Sequence, residues 1–186
     1  MACPKALNLA ADISDNECCS ACNFVRSLIV SKGDLREEYN RSDPEQWIHH
    51  ILTDSGYVVI DNNRPPEKDA HPNEHKKYHK ELSMCEDLAH MGHRIKFLSE
   101  LNRSDGTFDI FFDDTAADLK KIDGNGSSIP KFTKHAFREQ GAEIVVFCLP
   151  SHDSNIYDKL TEARRKYGNE GKIYFYFNDD MRLREI

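Results

Sequence analysis

Two apolar runs, Phe108–Phe112 and Ala117–Ile122, flank the acidic segment Asp113-Asp114-Thr115-Ala116. This reads as a strand, a tight turn and a second strand, which commits the surrounding chain to building a sheet. Side chains two apart in a strand share a face, so Asp118 and Lys120 point together while Leu119 points into the opposite layer. Asp109 on the preceding strand lies beside them. The hairpin therefore places two carboxylates and one amine on one side of a sheet.

From about Glu74 the chain alternates helical and strand patterns. Glu74–Met91 carries Leu82, Cys85, Leu88 and Ala89 on one helical face and closes at Gly92. Arg94–Leu98 reads as a strand, followed by the two strands of the hairpin. The Gly- and Ser-rich segment Asp123–Ser128 is a loop, Lys131–Gly141 a helix, Glu143–Leu149 a buried strand, Ile156–Tyr167 a helix and Lys172–Phe177 a strand. This order predicts an α/β fold, a central mixed β-sheet flanked by helices. Before it, Asn16–Lys32 reads as an amphipathic helix. Asp43, Pro44 and Gln46 give an N-cap, a first-position proline and a capping box for another, with Trp47, Ile48, Ile51 and Leu52 as its apolar side. Residues 1–55 are accordingly read as a small N-terminal helical region and 56–186 as the main domain, with Asn62–Asn73 a proline-rich exposed loop.

The chain's 186 residues allow one domain with a proper core plus a small appendage. No run approaches the roughly 18 apolar residues of a membrane span, and the N-terminus lacks the basic-then-apolar order of a signal peptide, so a cytoplasmic site of action is expected. The net charge of −7 argues against a broad basic face, so any polyanion site must be local. One local basic run is His75-Lys76-Lys77-Tyr78-His79-Lys80, where Lys76, Lys77 and Lys80 could hold a phosphate backbone and Tyr78 stack on a base. Arg164, Arg165 and Lys166 form a second basic cluster, a phosphate contact or a solubilising face. Cys18, Cys19 and Cys22 include one CxxC spacing with no second pair to complete a zinc site, and Cys18, Cys22, Val25 and Ile29 also lie along one helical face. The histidines at 71, 75 and 79 recur at four-residue steps around Pro72 and read as surface residues.

Asp109 and Asp118 suit a hard divalent cation, Mg2+ or Mn2+, with Zn2+ a further option. Such an ion activates a water and offsets charge developing on a phosphate, which Lys120 would also neutralise. The stretches His79-Lys80-Glu81 through Leu88-Ala89-His90-Met91-Gly92-His93, Phe108-Asp109-Ile110, Ala117-Asp118-Leu119-Lys120 and Phe137-Arg138-Glu139-Gln140-Gly141-Ala142 together resemble the PD-(D/E)xK nuclease superfamily. More closely, they are similar to the C-terminal tRNase toxin domain of CdiA-type contact-dependent growth inhibition proteins. Phe precedes Asp109 where the motif name has proline, and Asp118 stands where glutamate is commoner.

The resemblance implies a restriction-endonuclease-like sheet over roughly residues 56–186. It makes Glu81 the acid on the first helix, with Glu86 the competing position, Asp109 and Asp118 the metal ligands, Lys120 the catalytic lysine and Gln140 a residue near the site. It further implies a toxin that cleaves RNA, tRNA in kind, delivered as part of a larger protein and neutralised by a cognate immunity protein. A DNA endonuclease with the same centre, or a non-catalytic protein- or zinc-binding module using the N-terminal cysteines, are the alternatives.

Overall fold

A computed structural model describes residues 34–99 and 107–186. The predicted helix Asn16–Lys32 and its cysteines lie outside the described residues. The described chain begins with helix α1 over residues 34–41, where the sequence reading placed no element. There follow β1 (Trp47–Leu52), β2 (Tyr57–Asp61), α2 (Pro72–His90), β3 (Arg94–Phe97), β4 (Ile110–Phe112), β5 (Thr115–Lys121), α3 (Ile129–Arg138), β6 (Ile144–Leu149), α4 (Ser154–Tyr167), β7 (Lys172–Phe177) and β8 (Asp180–Glu185).

The eight strands form one mixed sheet in which spatial order equals chain order. The pairs β2–β3, β5–β6 and β6–β7 are parallel and each is bridged by one helix, as a parallel connection requires; the other pairs are antiparallel. Alternation along the central strands divides the core. On β6, Ile144, Val146 and Cys148 pack toward α2 with Met84, Leu88 and Ala89. Val145, Phe147 and Leu149 pack on the other face with Ile129 and Ala136 of α3 and Ile156 and Leu160 of α4. Every residue of β6 is buried, which only a strand covered on both faces permits. Among the described residues, no helix is long and apolar enough to cross a membrane.

One predicted element changes type. Asp43 does start a helical turn, since its carbonyl accepts the amides of Gln46 at 3.0 Å and Trp47 at 2.8 Å and its carboxylate that of Glu45 at 2.9 Å. The turn then ends, and Trp47–Leu52 is strand β1 rather than a helix. The apolar residues of that segment satisfy either period once a bulge is admitted, and the register with β2 does shift between His49 and Ile51. The deciding contacts are non-local. Thr53 Oγ1 donates to the carbonyls of Gly56 at 2.9 Å and Ala89 at 3.1 Å and lies 2.8 Å from the Gly56 amide, tying the turn to the end of α2. Among the described residues before β1, α1 is the helix, and position 55/56 falls in the turn of the β1–β2 hairpin. Leu35 and Tyr39 of α1 pack on Tyr57, Val59 and Trp47, so α1 covers this end of the sheet.

Gly56 has no room for a side chain: a Cβ there would stand 2.4 Å from both the Ala89 and His93 carbonyl oxygens. Gly56→Ala is expected to lower stability by about 1–3 kcal/mol. The check is a urea titration in which the midpoint falls while the slope stays constant; an unchanged midpoint would show that the hairpin turn yields freely.

Candidate active site

The site forms where the sheet runs short. β4 has three residues and pairs with Thr115–Ala117, so among the described residues no strand pairs with the second half of β5 on that side. Asp109, just before β4, takes over. Its amide donates to the Ala117 carbonyl at 3.1 Å, and its carboxylate accepts the Leu119 amide at 2.8 Å, where a strand's carbonyl would otherwise be. Both atoms are buried with the residue at 3% exposure, so the hydrogen bond offsets the cost of enclosing the carboxylate.

Asp118 is enclosed, with 0% exposure. The Lys120 ammonium straddles its carboxylate, 2.9 Å from Oδ1 and 2.7 Å from Oδ2, with the hydrogen bond directed to Oδ1. The predicted triad of Asp109, Asp118 and Lys120 is thus brought together. Burial, and then the neighbouring Asp109 charge, push the Asp118 carboxyl up to about 8, and the Lys120 charge only partly opposes them. At neutral pH the metal-free protein accordingly favours the protonated Asp118 carboxyl.

That donor set fits a hard divalent ion. Two carboxylates suffice for Mg2+, which retains several waters. Among the described residues, no three His, Cys, Asp and Glu side chains gather as a metal-ligand group. Glu81 therefore does not join the two aspartates as a third ligand. It sits on α2 at 8% exposure, ion-paired with Arg64 and 3.8 Å from Lys77. Glu86, the competing position, is bound to His50 at 2.7 Å instead.

Beside β5 opens a cavity of about 450 Å3, lined by Lys76, Lys77, Lys80 and Glu81 of α2, Lys120 and Lys121 of β5, and Phe132 of α3. Positions 76, 77 and 80 share one helical face, so the predicted lysines converge here. Lys80 also reaches Asp123 at 2.8 Å across the cleft's rim. Two expected site residues do not reach it. Tyr78 stacks on Phe97 with centroids 5.7 Å apart and planes 14° apart, and burial raises its phenol, so its ring belongs to the core. Gln140 lies beyond α3, which ends at Arg138 before Gly141 at φ 74°; its amide donates to the Thr107 carbonyl at 3.3 Å and it does not line the cavity. The cluster at 164–166 closes α4, where Arg164 donates to the Gly168 carbonyl at 3.0 Å and Lys166 pairs with Glu162 at 2.6 Å.

Three residues escaped the sequence reading. Lys121 and Phe132 complete the cavity wall, and Arg64 holds Glu81 while resting 4.4 Å over the Phe97 ring. Lys121 had a signal, since it directly follows Lys120 at the end of the same strand. Arg64 had none, because it comes from a loop between Asn63 and Pro65 whose path is set by tertiary packing.

No family model matches the chain, and no curated protein matches it. Among solved structures it is similar to a chain of the CdiA-CT/CdiI toxin and immunity complex from Burkholderia pseudomallei, with a TM-score of 0.50 over 68% of this chain and 97% of that one, at 11% identity. The likeness is one of fold. It supports the mixed sheet with flanking helices that carries Asp109, Asp118 and Lys120.

The raised Asp118 carboxyl gives stability a definite pH dependence. Between about pH 4, where an unfolded aspartate ionises, and about pH 8, the folded state binds the extra proton. Stability of the metal-free protein therefore falls as pH rises through this window. Asp118→Asn cannot titrate, so the difference in stability between wild type and variant is expected to move against wild type by a few kcal/mol from pH 4.5 to 8.5. Denaturant midpoints in a chelating buffer measure it; parallel pH profiles would sink the assignment.

Proposed function

We propose that this protein is a metal-dependent nuclease that hydrolyses RNA phosphodiesters, with tRNA as its substrate. The observation that carries the reading is the buried pair Asp109 and Asp118 with Lys120 on the Asp118 carboxylate, Lys120 being also part of the wall of a lysine-lined cleft. Asp109 and Asp118 would hold a divalent ion such as Mg2+. When bound, that ion supplies a more acidic water and offsets charge on the phosphate. Lys120, which also lines the cleft, would then leave Asp118 and neutralise charge developing on the scissile phosphate. Lys76, Lys77 and Lys80 bind the flanking backbone. Glu81, held by Arg64, shapes the wall of the cleft.

The fold likeness to a chain from a toxin and immunity complex supports a further reading. In it, the chain is the effector of a larger delivered toxin, acts in the cytoplasm of the target cell and is blocked by a cognate immunity protein. A DNA endonuclease with the same centre is the competing assignment, since a lysine-lined cleft binds either backbone.

Total tRNA and plasmid DNA incubated in parallel with Mg2+ test both. Cleavage of tRNA is expected, with Asp109→Ala, Asp118→Ala and Lys120→Ala each reducing the rate at least about 100-fold in folded protein. Plasmid cleavage without tRNA cleavage would replace RNA by DNA as the substrate, and undiminished cleavage by all three variants would remove the active centre proposed here.

A further inference from the structure

We infer that the cleft beside β5 receives a single unpaired nucleotide, its base against Phe132 and its flanking phosphates on Lys76, Lys77, Lys80 and Lys121. This deepens the nuclease reading and rests on it, adding that the substrate is engaged at a single-stranded segment.

Three observations lead there. In a chain of net charge −7, five lysines and one glutamate face a single cavity, so its occupant is anionic. The existing ion pairs are displaceable: Asp123, which holds Lys80, is 68% exposed in its side chain, and Lys77 stands 3.8 Å from Glu81. The volume of about 450 Å3 lies within the roughly 300–1,000 Å3 of sites that enclose a small organic molecule. One nucleotide fits such a space, whereas a base-paired one would have to bring its complementary strand with it. Finally, among the described residues the wall includes one aromatic ring. Phe132 is half-buried on the first turns of α3, beside the fully buried Ile129 and Thr133 that anchor the helix. Tyr78 is already occupied by Phe97 and Arg64, which leaves Phe132 as the ring at which a base can stack. Unpaired bases are recognised in this way, by stacking on aromatic side chains while basic groups track the backbone.

Fluorescence anisotropy of a labelled, unstructured RNA decamer and of a duplex of the same sequence, both in EDTA to prevent cleavage, tests the inference. The single strand is expected to bind more tightly than the duplex. Phe132→Leu, which retains apolar volume, should weaken single-strand binding about 5- to 150-fold, and Phe132→Trp should preserve it. The salt dependence of wild-type binding should have a slope near −3, corresponding to about four lysine–phosphate contacts. Equal single-strand affinity for Phe132→Leu and wild type, or a duplex that binds as tightly as the single strand, overturns the inference. Should Phe132→Leu fail to fold, loss of binding in folded Phe132→Trp or a slope near zero does the same. The two readings separate cleanly with Mg2+ added. RNA cleavage that is indifferent to Phe132 keeps the nuclease and sinks this site, and Phe132-dependent binding without any cleavage sinks the nuclease and keeps the site.

Discussion

The hydrogen bond from the Leu119 amide to the Asp109 carboxylate does work that a strand normally does. β4 is too short to cover the second half of β5, and an open sheet edge inside a protein leaves amides without partners. Asp109 closes that edge with a side chain. Because it does so with a carboxylate rather than a peptide carbonyl, closing the sheet also fixes a negative charge beside Asp118. The structural need of the edge and the chemical potential of the site are met by one group.

The rest of the centre follows from that crowding. Two enclosed carboxylates repel, so one holds a proton or both share a cation, and Lys120 supplies only part of the compensation. The surrounding fold keeps the pair from relaxing apart. β5 is clamped by β6 along Ala117–Lys121, α2 lies on one face and α3 on the other. The cleft is walled by α2, by the end of β5 and by Phe132 of α3. Its lysines come from the short stretch Lys76–Lys80 of α2 and from the end of β5, which concentrates positive charge in an otherwise acidic protein.

Much of this was legible in the residues. Period-two alternation in Ala117–Lys121 predicted that Asp118 and Lys120 share a face, and their 2.7 Å contact agrees. The apolar runs predicted the buried strands, and the basic spacing on α2 predicted the lysines of the cleft. Errors arose where two local readings were equally good. Trp47–Leu52 had a helix cap before it and a pattern that suits either period, and pairing with β2 made it a strand. Tyr78 adjoined a basic run, yet Phe97, nineteen positions further on, claimed its ring. The helix predicted to run to Gly141 ends at Arg138, which leaves Gln140 beyond it.

Local sequence by itself determined the element types wherever one period dominated, the pairing of Asp118 with Lys120 and the charge that gathers on α2, because these depend on neighbours within a few positions. Tertiary structure alone decided that β4 stops short, that Asp109 fills the gap, that Arg64 takes Glu81 and that Phe132 faces the lysines. Those outcomes depend on segments far apart in the chain competing for the same buried space and the same backbone hydrogen bonds, and no local pattern records who wins.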